Sequence, residues 1–83
     1  MIPLKTNTII DHSNQLRTSL GSIETAIREY VEAVKHAEDQ EGFNRGECTA
    51  QAMLALRHVE DARMRIGKVI QYADGGVSVY DKK

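Results

Sequence analysis

What most constrains this chain is a pair of apolar stripes, each recurring at intervals of three and four residues, separated by one stretch of turn composition. The first stripe is Leu16, Leu20, Ile23, Ile27, Tyr30, Val34 and Ala37. The second is Ala52, Leu56 (or Ala55), Val59, Ala62, Ile66, Val69 and Ala73. A three–four alternation gathers side chains on one face of an α-helix, whereas a strand would need alternation by two. Between the stripes lies "EDQEGFNRGE", which carries Gly42 and Gly46. Glycine-bearing polar stretches of this kind break helices. Two long helices joined so briefly must turn back on one another. The expected fold is therefore all-α, an antiparallel two-helix hairpin forming a single domain over residues 1–83.

The boundaries follow from local chemistry. Pro3 and the polar residues after it mark a short N-terminal segment, with the helical pattern beginning near Ile9. Asp11 or Ser13 would cap the first helix, which should reach about Glu38. The second helix should start near Glu47 or Thr49 and end near Ala73, where Asp74-Gly75-Gly76 offers glycine for a left-handed stop. In the C-terminal tail Val77, Ser78 and Val79 alternate as a short β-strand would, and must pair with another chain, pack on the hairpin or fray. The chain shows no internal repeat and no low-complexity segment.

Several function classes are disfavoured at this stage. Cys48 is the only cysteine, so no disulfide forms within the chain. His12, His36 and His58 are scattered, without the paired spacing of a zinc site, and no metal or cofactor is expected. A lone cysteine and the lack of a signal-peptide pattern point to the cytoplasm. No apolar run is long enough for a membrane span. The net charge of −1 argues against a protein that coats DNA, and four aromatic residues make a poor base-stacking surface. So small a domain needs a further source of stability, and self-association is the device left. A second apolar set on helix two, Leu54, Met64, Ile70 and Tyr72, points away from the first stripe and suits a partner. The N-terminal segment folding back over it is the alternative.

Catalysis finds little support. No serine or cysteine lies in a nucleophile motif, and Glu60 and Asp61 are flanked by Arg57, Arg63 and Arg65. On a helix Glu60 reaches Arg63, while Asp61 reaches Arg57 and Arg65, so mutual ion pairing is their expected role. Glu24 with Arg28, and Glu32 with His36, have the same spacing. Within "ALRHVEDARMRIGK" five basic side chains (Arg57, His58, Arg63, Arg65 and Lys68) face two acids, which leaves a local positive excess. Arginine's planar fork matches phosphate in two-point contact. Helix one supplies a counterpart in "RTSLGSIET", where Arg17, Thr18 and Ser19 precede Gly21. Glycine inside a helix costs about 1 kcal/mol relative to alanine, so something should approach Gly21 and Gly67 closely. That neighbour is either a partner helix or a flat anionic ligand.

"LALRHVEDARMRIGKVI" resembles the second helix of the phage anti-defence sponge proteins, the anti-CBASS cyclic-nucleotide sponges and their anti-Thoeris relatives, with Leu56, Val59, Glu60, Ala62, Met64 and Lys68 at matching places. "NQLRTSLGSIETAI" resembles the family's first helix, where a basic residue is soon followed by a hydroxyl residue and a glycine. The resemblance implies a small helical protein assembling as a homo-oligomer, a hexamer in several members. Its partners would be cyclic di- or trinucleotides or cyclic ADP-ribose isomers, which such proteins sequester without cleaving. Arg17 matches the first-helix basic residue, and Thr18 or Ser19 the hydroxyl. Arg57, Arg63 and Arg65 are candidates on helix two, with Gly21, His58 and Lys68 beside them. The N-terminal tyrosine that stacks a base in dinucleotide binders has no counterpart here, which favours a trinucleotide or an ADP-ribose-type ligand. The competing reading is a structural hairpin whose arginines only bridge subunits.

Overall fold

In the computed structural model, which describes residues 4–75, two helices pack against each other, α1 (Thr6–Lys35) and α2 (Arg45–Ala73), antiparallel across one long seam. No strand occurs among the described residues. The alternating tail 77–79 lies outside them.

Helix α1 starts earlier than the pattern suggests. Lys5 occupies the cap position and no side chain caps the helix, so neither Asp11 nor Ser13 has that role. Residues 6–10 continue the helix rather than folding back, and Leu4 before them is exposed. The other end stops at Lys35, three residues short of the expected Glu38. Helix α2 begins at Arg45 because Asn44 caps it: the backbone N–H of Glu47 donates to Asn44 Oδ1 at 3.0 Å. Asparagine is among the best cap residues, and Glu47 in the first turn suits the positive end of the helix dipole. Gly42 in the connection and Gly75 after α2 both take positive φ, +82° and +85°, where other residues would be strained. Arg45 ties the two helix ends together. Its guanidinium donates to the Ala37 carbonyl just past α1, pairs with Asp39 at 3.0 Å and lies 5.7 Å from the Phe43 ring centre.

The seam holds little apolar material. Val31, Ala52 and Ile70 are the only buried hydrophobic residues among those described, joined by the polar Ser13 and Glu24. Ile70 is 5% exposed, which corrects its assignment to the outward set of α2. Its spacing from Ala52, Val59, Arg63 and Ile66 brings it into the seam. The α1 stripe is split lengthwise. Leu20, Ile27 and Val34 border the seam half-buried, while Leu16, Ile23 and Tyr30 remain 52%, 47% and 60% exposed. The packed face of α1 is thus turned by roughly one residue's rotation from the apolar stripe, because Ser13, Glu24 and Val31 occupy its centre. Cys48 is exposed. Leu54, Met64 and Tyr72 are exposed, as their pattern requires.

Candidate functional site

At mid-seam each helix lays an arginine across the other's glycine. A methyl group on Gly21 would stand 3.5 Å from Cζ, 3.6 Å from Nη2 and 3.8 Å from Nε of Arg63. One on Gly67 would stand 3.6 Å from Nε and 3.8 Å from Cζ of Arg17. The contact is reciprocal: Arg17 and Gly21 on α1 meet Gly67 and Arg63 on α2. The flat, weakly hydrated face of a guanidinium suits exposed helix backbone, and glycine leaves that backbone bare. Of the two partners considered for the glycines, the packed one is found, and it is the opposite helix of the same chain.

This pairing exposes a correspondence between the helices and corrects the expectation of a chain without internal repeats. "LRTSLGSI" (16–23) and "ARMRIGKV" (62–69) share apolar–Arg–x–x–apolar–Gly–x–apolar. The two copies run in opposite directions across the seam, related by a local two-fold axis. Only antiparallel packing brings them face to face, which is why each looks like an ordinary helix segment in the sequence.

Glu24 is the feature that sequence reasoning missed. Its side chain is 7% exposed and accepts from two arginines, Arg28 Nη2 at 2.6 Å and Arg63 Nη1 at 2.9 Å. The bond from Arg63 lowers its pKa most, burial works in the other direction, and Arg28 lowers it further. The Glu24–Arg28 pairing matches its i,i+4 spacing. The Glu60–Arg63 pairing does not form: Arg63 is held by Glu24, and Glu60 faces Arg28 across the seam at 3.4 Å. Asp61 pairs with Arg65 at 2.9 Å and not with Arg57. Glu32 and His36 approach to 3.7 Å.

The remaining candidates scatter around this centre. The hydroxyl of Thr18 donates to the Asn14 carbonyl within its own helix, and Ser19 is exposed. Arg57 borders a shallow groove of about 430 Å³ with Arg28, Glu32, Lys35, Met53 and Glu60. Arg65 and Lys68 border another of about 600 Å³ beside Met64, Val69 and Tyr72. His58 is exposed on the outer side of α2. The structure thus unites Arg17, Gly21 and Arg63 and separates them from Arg57, His58, Arg65 and Lys68.

Charge bookkeeping distinguishes the arginines. Arg28, Arg45, Arg63 and Arg65 have carboxylate partners. Arg17 and Arg57 have none among the described residues, and Nε of Arg17, like those of Arg45 and Arg63, is buried without a hydrogen-bond partner. A guanidinium so placed has donors to offer an incoming anion. No group of three or more His, Cys, Asp or Glu side chains able to hold a metal ion occurs among the described residues, and no described helix is long and apolar enough to cross a membrane. Compared with protein-family models, curated proteins and solved structures, the chain matches none.

Proposed function

We propose that this protein is a non-catalytic, self-associating sponge that binds a phosphate-bearing cyclic messenger, a cyclic oligonucleotide or a cyclic ADP-ribose isomer, and withholds it from bacterial anti-phage signalling. The observation that carries this reading is Arg17. It is the helix-one basic residue to which the family resemblance points, and it sits at the centre of the hairpin without an acid partner. Burying part of a guanidinium without hydrogen-bond partners is unfavourable, and a phosphate would satisfy it with charge-assisted bonds. Self-association fits the same picture. Three buried apolar residues make a thin core, and two exposed apolar sets provide two surfaces for assembly into a closed oligomer such as a hexamer.

The test is calorimetry of the whole protein with a panel of cyclic di- and trinucleotides and cyclic ADP-ribose isomers, followed by recovery of the ligand after denaturation. One member should bind and return intact. Arg17→Ala should weaken it roughly ten- to a hundredfold, the loss of one charged hydrogen-bonding group. If no member binds, or if Arg17→Ala binds as the parent does, the sponge reading fails.

A second reading keeps one observation of its own. Arg63 pairs with Glu24 and packs on Gly21, which a hairpin built only for assembly would also require. In that case the protein would oligomerise and bind nothing on the panel.

A further inference from the structure

The two sides of the hairpin differ sharply in charge. Arg28, Glu32 and Lys35 share a groove with Met53, Arg57 and Glu60, which fixes one side as charged. Rotating away from the seam in the opposite sense, at about 100° per residue, reaches Leu16, Ile23 and Tyr30 on α1 and Ala55, Ala62 and Val69 on α2. No Asp, Glu, Lys or Arg of either helix falls between them. That side is therefore mainly apolar, tall along α1 and low along α2, with His12 and Gln51 at its margins and Arg65 and Lys68 beyond Val69. Because the helices are antiparallel, Tyr30 stands level with Ala55, Ile23 with Ala62 and Leu16 with Val69.

We infer that a second copy of this chain docks on the uncharged side, with the Leu16–Ile23–Tyr30 ridge of each α1 seated in the Ala55–Ala62 trough of the other α2. This rests on the self-association proposed above and is independent of any ligand. Size complementarity selects the arrangement. A two-fold axis along the helices sets large side chains over small ones, as close packing requires. An axis across the helices would set ridge on ridge and leave the alanines uncovered. Either axis makes each helix antiparallel to both neighbours, the up-down order of a four-helix bundle, so size complementarity alone selects between them. The surface is roughly 30 Å long, at 1.5 Å per residue from Ile9 to Tyr30, and about 20 Å wide for two adjacent helices. Two copies would cover about 1,200 Å² in total, the lower end of a specific interface. A single hairpin is only 16 Å across its thinnest direction, one helix layer among the described residues.

The experiment uses full-length protein in a Cys48→Ser background. Copies carrying Ile23→Cys are mixed with copies carrying Ala62→Cys and mildly oxidised, and the disulfide-linked products are weighed. The expected product is the mixed dimer, at several-fold excess over either homodimer. Ile23→Cys homodimers in excess would mean ridge on ridge, and absence of any linked product from a protein that still assembles would place the interface elsewhere; either overturns the inference. Native mass spectrometry of the parent separates this from the broader reading, because a monomeric parent would refute self-association itself. Ile23→Glu should remove this interface by placing an unpaired charge in it, leaving only the smaller species that the surface around Met64 and Tyr72 holds. An assembly left intact by Ile23→Glu would also overturn the inference, whether or not the isolated hairpin stays folded.

Discussion

Replacing Gly21 or Gly67 by alanine tests the mid-seam packing directly. Glycine within a helix is about 1 kcal/mol less favourable than alanine, through the backbone freedom it surrenders on folding. Retaining it is justified sterically only when an added methyl would collide with something. Here the nearest atoms to a methyl on Gly21 belong to the Arg63 guanidinium at 3.5 to 3.8 Å, and those to one on Gly67 belong to Arg17 at 3.6 Å and beyond. These are ordinary van der Waals separations, and the neighbours are ends of flexible side chains. Each substitution should therefore stabilise the hairpin by about 1 kcal/mol, which for a domain of this size raises Tm by roughly 4–8 °C. Denaturant unfolding at one fixed protein concentration, monitored by helical circular dichroism, supplies the measurement, since assembly makes stability concentration-dependent. If Gly21→Ala lost 1 kcal/mol or more while the oligomer remained intact, the guanidinium packing would be the wrong account of the glycine. A variant more stable than the parent but weaker in ligand binding would assign the bare backbone to the ligand.

Further outcomes follow from other contacts. Ile70→Ala should cost about 2–5 kcal/mol in the same unfolding experiment, as for other buried large-to-small changes. Asn44→Ala should cost about 1 kcal/mol by removing the α2 cap, with assembly unchanged. Glu24 has a folded pKa below its ordinary 4.5, so its contribution is complete above 4.5 and is lost as pH falls from there through the lowered folded value. Between pH 6 and pH 3 the parent should accordingly lose more stability than Glu24→Gln does, and parallel pH profiles would refute the pairing with Arg63 and Arg28. Met64→Glu, on the other exposed set, should stop assembly at dimers in native mass spectrometry rather than dissolve it to monomers.

The helical hairpin was legible because periodicity registers helices whatever covers them. The end of α2, the connection and the exposure of Leu54, Met64 and Tyr72 could be read for the same reason. Which part of each stripe faces the other helix could not. Apolar residues mark every surface a helix buries, including surfaces buried against other chains, so Leu16, Ile23 and Tyr30 drew the predicted face away from the seam. Glu24 was hidden for a related reason: a glutamate four residues before an arginine reads as a solvated pair, and only Arg63, brought in by tertiary packing, makes its burial tolerable. Arg17 has no acid three or four places away on its own helix, and no carboxylate pairs with it among the described residues of the fold. Arg63 was also singled out, but its partner lies 39 positions away, beyond the reach of helical spacing rules.

The reciprocal crossing of Arg17 over Gly67 and Arg63 over Gly21 has a consequence for chain order. Each helix offers the same lock and the same key at the same height, so the contact carries no record of which helix came first. Direction and register are matched at mid-seam, far from the connection at residues 36–44, which adds the Arg45 ties and the Asn44 cap and keeps the two helices at high local concentration. Opening the chain at that connection and joining α2 to α1 at the opposite end would bring the same four residues together. In a crowded assembly the same interchangeability lets an α2 from one copy replace that of its neighbour. The hairpin is in this sense a pairing rule between helices, and its loop is one of several ways of satisfying it.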